Sequence, residues 1–132
     1  MKEIGGSNED MIDVFTLQIR CLAEIGCPSW NGALTQKDIT KLESIQKVAL
    51  RIMLGEKYKG YENALKTLNL SRLDKRRETI CKKFARKMER SSKFANWLKK
   101  APRINRFTKK YSLPNTRTMT YRKSPLFYLT NL

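Results

Sequence analysis

The sequence has no histidine, only three cysteines, and 12 acidic residues against 28 basic ones. Each shortage excludes something. Without histidine there is no Ser-His-Asp triad, no Cys-His dyad and no histidine metal ligand. Cys21, Cys27 and Cys81 are odd in number and irregular in spacing. They make neither a disulfide framework nor a zinc knuckle, and are expected to be reduced, mostly buried thiols. No apolar run reaches the ~18 residues of a membrane span. Met1–Asp10 is polar and acidic, unlike a signal peptide. The expected location is therefore intracellular, nuclear or cytoplasmic, with no membrane partner. Converging carboxylates for two-metal chemistry are also lacking. The adjacent pair Glu9-Asp10 falls in the first turn of a predicted helix, where it suits the positive end of the macrodipole. Gly5-Gly6 and Gly55 form no phosphate-cradling loop. No enzyme activity is expected of this chain alone, and no cofactor or metal.

What is present is charge of one sign and helical periodicity. The net charge is +16 over 132 residues. A surplus of that size favours polyanions, nucleic acid before an anionic membrane. It is unevenly placed. Residues 1–40 carry three basic and six acidic residues, 41–70 six and three, and 71–132 nineteen and three. An acidic front and a basic back suit a protein partner at one end and a polyanion at the other.

The length fits one domain, burying roughly two thirds of its unfolded surface. Ser7 with Asp10 reads as a capping box for a helix over about 8–25, with Met11, Ile12, Val14, Phe15, Ile19 and Leu22 as its apolar face. Gly26, Cys27, Pro28 and Ser29 are expected to stop it. Thr35 with Asp38 opens a second helix over about 36–54, ended by Gly55. Its apolar residues cover about two thirds of the circumference, which places it at the centre of the core. A short helix follows over about 61–68. Ser71 with Asp74 reads as a third box, opening a helix over 72–90, and a last helical stretch covers about 92–99. From Ala101 the period fails. Pro102, Pro114 and Pro125 interrupt basic, polar chain expected to be extended or disordered. No period-2 run competes. The expectation is all-α: a bundle of four to five helices over 1–100 and an extended basic tail over 101–132.

The segment 72–90 carries the functional signal. At 100° per residue, Leu73, Ile80, Phe84, Cys81 and Met88 share an arc of about 100°. Asp74, Glu78 and Glu89 lie beside it. Arg72, Lys75, Arg76, Lys82, Lys83, Arg86, Lys87 and Arg90 share the far side. Eight cations on one side repel each other and forgo the favourable i,i+4 pairs of a mixed surface. An anion lying along that side offsets the cost, so these residues are candidate phosphate contacts. Arg77 falls inside the apolar arc and is expected to snorkel. The tail adds Arg103, Arg106, Lys109, Lys110, Arg122 and Lys123, with Phe107, Tyr111, Tyr121, Phe127 and Tyr128 among them. Cations interleaved with rings suit a single strand. Backbone contact is expected over 103–123, and docking of Leu126 to Leu129 on the bundle over 121–132.

Several ordered runs resemble one family. Leu42-Glu43-Ser44-Ile45-Gln46-Lys47-Val48-Ala49-Leu50-Arg51-Ile52-Met53-Leu54-Gly55 is similar to the segment downstream of the palm in reverse transcriptases of non-LTR retrotransposons, the jockey-like mobile elements. So are Tyr61-Glu62-Asn63-Ala64-Leu65-Lys66-Thr67-Leu68-Asn69-Leu70, Leu73-Asp74-Lys75-Arg76-Arg77-Glu78 and Phe84-Ala85. Tyr121-Arg122-Lys123-Ser124-Pro125 and Tyr128-Leu129-Thr130 resemble the close of those polyproteins, and Ile19-Arg20 and Pro28-Ser29-Trp30 sit where similar pairs occur. The stretch Cys21–Ile25 departs from the pattern. The resemblance implies a thumb-like region that begins about where the palm ends and grips template–primer, with a palm domain as neighbour. The palm's Phe/Tyr-x-Asp-Asp motif is not in this chain. Its expected partner is nucleic acid: RNA, DNA or a hybrid. Two rival readings are a remnant of a decayed element without selected function, and a free-standing interaction module using the acidic first helix.

Overall fold

The structure is a computed structural model that describes residues 7–97, 100–102, 111–112 and 116–132. It is all-α: the described residues contain helices and one isolated antiparallel bridge, Lys100 to Tyr111, but no strand. Among the described residues, no helix is long and apolar enough to cross a membrane. The helices are α1 (Asn8–Val14), α2 (Arg20–Leu22), α3 (Cys27–Trp30), α4 (Gln36–Leu54), α5 (Tyr61–Thr67), α6 (Leu73–Arg90), α7 (Met119–Arg122) and α8 (Pro125–Thr130). That is more than the four to five expected, because several are single turns. Two compact units interleave along the chain. The first takes the described residues up to Ile25 and Thr35–Arg76; the second takes Gly26–Leu34 and those from Arg77 onward. The border between them falls within the sequence of α6.

In the first unit, α1 and α4 start as their sequences specify. Ser7 Oγ accepts from the Asp10 amide at 3.2 Å and the Asp10 carboxylate accepts from the Ser7 amide at 2.8 Å. Thr35 and Asp38 repeat the arrangement. Gly55 closes α4 at φ +54°, a conformation that disfavours a side chain. Between α1 and α2 the chain makes a π-turn over Phe15–Ile19, with the Arg20 amide donating to the Phe15 carbonyl. The wider turn changes the phase. Arg20 falls beneath buried Phe15, while Ile19 and Leu22, expected on the apolar face, are exposed. The helical path ends at Leu22, short of 25. The core gathers Leu50 and Leu54 of α4 with Ala64 and Leu65 of α5, flanked by Tyr58, Tyr61, Leu68 and Leu70.

Helix α4 is not surrounded as its composition led us to expect. One face buries Glu43, Gln46, Leu50 and Met53; another presents Ile45, Val48 and Ile52 to solvent. The third capping box is also replaced. Ser71 Oγ accepts from Arg20 Nη2 at 3.3 Å, and the Asp74 amide in the first turn of α6 donates to Glu43 Oε1 at 2.8 Å. A carboxylate from α4 thus caps α6 in place of Ser71.

The second unit is built on Cys27, Cys81, Ala85, Met88, Tyr111 and Leu129, with Trp30, Ile80, Leu126 and Tyr128 packed against them. Gly26-Cys27-Pro28-Ser29 does not simply stop a helix, since Cys27–Trp30 form α3 with Pro28 in its first turn. Two thiols are buried as expected, their sulfurs 3.9 Å apart, but Cys21 is exposed. Gly32 leaves room for Tyr128: a Cβ there would come within 2.5 Å of the tyrosine Cβ. Of the stretch expected as helix over 92–99, Ser92–Phe94 form a turn and Ala95–Trp97 a 3-10 segment, while 98–99 lie outside the described residues. The end of the chain is not wholly extended. Thr118 and Ser124 cap α7 and α8, and Pro125 opens α8 at a position where its missing N–H costs nothing. Leu129 is buried, so the expected docking of 126–129 is found.

Candidate nucleic-acid interface

The expected phosphate contacts divide sharply by what surrounds them. Arg72, in the first unit, meets Glu62 at 3.3 Å and Asp74 at 3.2 Å, and the Asp74 charge raises its pKa. Arg76 meets Glu24 at 2.5 Å. The same carboxylate accepts from buried Arg20 at 3.3 Å, making an Arg–Glu–Arg cluster. Burial, and then the nearby Arg76, lower the Arg20 pKa. Lys75 also takes part in an interaction within the fold. These cations are not the bare repelling row that periodicity implied.

In the second unit, Lys82 meets Glu78 at 2.5 Å, one turn away. Lys83, Arg86, Lys87 and Arg90 are exposed, and none forms a hydrogen bond or ion pair among the described residues. Their spacing of three, four and seven puts them on one side of α6, within an arc of about 100°. They are placed to meet an anion without first breaking an internal pair. Arg122 donates to Thr116 Oγ1 at 3.1 Å and Lys123 is exposed. Arg103, Arg106, Lys109 and Lys110 lie outside the described residues, as does Phe107.

Arg77 does not snorkel. It is 0% exposed. Its Nε donates to Asn31 Oδ1 at 3.1 Å and its guanidinium lies 6.0 Å from the Trp30 ring centre. Asn31 in turn donates from Nδ2 to the Tyr128 hydroxyl at 2.7 Å. Both Arg77 Nη atoms are buried without a hydrogen-bond partner. Arg77 belongs to the interior and cannot join the surface row.

The rings are redistributed as well. Tyr111 is buried and its hydroxyl donates to Glu89 at 3.0 Å, so it offers no face to a base. Phe84, expected in the core, is 42% exposed; Phe94 is 41% and Trp97 58% exposed. Phe84 lies near the middle of the apolar arc, so the helical wheel gave no sign that this ring is exposed. Among the described residues, no group of three or more Cys, Asp or Glu side chains is arranged to hold a metal ion. Comparison with protein-family models, with curated proteins and with solved structures finds no match to this chain.

Proposed function

We propose that the chain is a nucleic-acid-binding, thumb-like C-terminal region of a non-LTR retrotransposon reverse transcriptase, holding template–primer through backbone phosphates. It lacks the paired aspartates of a palm and does not polymerise by itself. The observation that carries the binding is the unpaired row Lys83, Arg86, Lys87 and Arg90 on one side of α6. The sequence runs at 42–55, 61–70 and 73–78 support the family. Phosphate contacts supply affinity without reading sequence, so RNA, DNA and hybrid duplexes of mixed sequence are all ligands.

The test is a salt titration of duplex and hybrid binding by the full chain. Four phosphate contacts give a slope of log affinity against log salt of about −4, steeper if the tail contributes. Changing Lys83, Arg86 and Lys87 together to Glu weakens every ligand alike and reduces the slope by about 3. Unchanged affinity in that variant removes the row from the interface. A second reading, an interaction module, draws on one observation: Val14, Ile19 and Ile52 border a small apolar cleft in the first unit, and Ile45 and Val48 continue the exposed face along α4. In the polymerase reading a palm domain covers that face. Reading the transcript's 5′ end in frame distinguishes the two: an upstream palm with paired aspartates supports the polymerase.

A further inference from the structure

The second unit carries a cleft of about 230 Å³ lined by Phe84, Met88, Phe94, Trp97, Pro125 and Leu126, among others. Phe94 and Trp97 meet edge to face, ring centres 5.4 Å apart and planes at 82°. Two backbone bonds hold them in place, the Phe94 amide to Ser91 and the Trp97 amide to Phe94, at 3.2 and 3.0 Å. Three large rings left partly in water are a poor arrangement for a surface that only needs to be soluble. No cation lines the cleft, but cations stand near the rings along the chain. Phe84 follows Lys83 directly and stands one turn before Lys87, and Phe94 follows exposed Lys93. Apolar, flat-walled space with unpaired Lys87 one helical turn from a wall residue matches a nucleobase attached to a phosphate chain. The volume is below the ~300 Å³ typical of small-ligand pockets. It suits one or two stacked rings, not a folded partner.

We infer that this cleft takes an unstacked base of single-stranded nucleic acid, with its phosphates on Lys83, Lys87 and Lys93. The inference rests on the phosphate-binding reading and adds a ligand form to it. Duplex satisfies the cations alone; a single strand, or the unpaired end of a duplex, satisfies the rings as well. Base stacking on aromatic side chains is tolerant of sequence, because every base has a π-face.

The test compares three probes on the full chain: a deoxythymidine oligonucleotide, an abasic strand of the same length, and a duplex. Binding is followed by tryptophan emission and by anisotropy of labelled strands. Wild type is expected to prefer the oligonucleotide to the abasic strand by roughly tenfold, with quenched emission. In Trp97→Ala the preference and most of the quenching are lost while duplex affinity is kept, and Trp97→Phe restores part of the preference. Trp97 is exposed, so removing it leaves the core intact, which circular dichroism verifies. Equal affinity for oligonucleotide and abasic strand, with Trp97→Ala unchanged, overturns the base site while leaving the phosphate reading standing. Emission that shifts with protein concentration and ignores the oligonucleotide means that a second copy fills the cleft, and also overturns it. No binding of any probe overturns both readings.

Discussion

The two units of this chain handle charge in opposite ways. The first holds twelve basic and ten acidic residues, a net +2; the second holds sixteen and two, a net +14. In the first, cations meet carboxylates: Arg20 and Arg76 share Glu24, and Arg72 shares Glu62 and Asp74. In the second, acids are so few that four cations of α6 go unpaired. Their mutual repulsion weakens that unit. The contrast teaches that a basic sequence is not a basic surface. Of the eight cations that periodicity placed together, the fold neutralises some and leaves others free.

The contrast extends to the interior, and there it can be broken. Glu43 is buried and well partnered: it accepts from the Tyr61 hydroxyl and from the Asp74 amide. Glu43→Ala strands both donors and uncaps α6. The expected loss is about 3 kcal/mol of stability, read as a fall in the denaturant midpoint at constant m-value. Nucleic-acid affinity per folded molecule is expected to stay within about twofold, since no interface residue is touched. A loss of affinity without a loss of stability would show that the first unit takes part in binding.

Arg77 is the opposite case in the second unit, a buried guanidinium with one hydrogen bond and two unpartnered nitrogens. Burying a charge that is not repaid by partners costs several kcal/mol. Arg77→Met keeps the stem's packing and removes the charge. It is expected to stabilise the protein by about 1–2 kcal/mol, observed as a higher midpoint. Destabilisation by that amount would mean that the contact with the Trp30 ring and the bond to Asn31 outweigh the desolvation.

How much was legible in the sequence follows the range of the forces involved. The caps at Ser7 and Thr35 and the stop at Gly55 depend on residues a few positions apart, and they are found where spacing put them. The limits of α4 were legible for the same reason. Long-range competition hid the rest. Glu43 takes over the cap of α6 from 31 positions away, and Glu24 reaches Arg76 across 52. The π-turn at Phe15–Ile19 rotates Arg20 into the interior in a way that a 3.6-residue wheel cannot register. α8 was hidden because Pro125 reads as a breaker until it is seen to sit in a first turn. At the candidate interface, the wheel gave the exposed side of α6 but not which cations remain unpaired, because pairing depends on where the few carboxylates fold. Phe84 was assigned to the core because hydrophobicity does not tell a ring that is covered from one at the rim.

The smallest effect separates two tyrosines, one from each unit. Burial raises the pKa of both. The Tyr61 hydroxyl also donates to Glu43, and the carboxylate raises it further, beyond the ordinary phenol range. The Tyr128 hydroxyl accepts from Asn31, which works against the rise. A raised pKa in the folded state means that the fold holds the proton more tightly than the unfolded chain. The stability is therefore fully present below the unfolded value near 10 and is lost as pH rises through and beyond it. For Tyr61 the loss is about 0.4 kcal/mol at pH 10 and grows at higher pH, because the folded group has not yet begun to ionise. Tyr61→Phe is expected to be less stable than wild type at pH 7, since Glu43 loses a donor. Its stability is also expected to fall less steeply above pH 10. Tyr128→Phe removes a shorter window of the same sign. Phenolate absorbance in the folded state gives the direct comparison: Tyr128 ionises first, and a reversed order would mean that the Glu43 carboxylate is not the stronger influence.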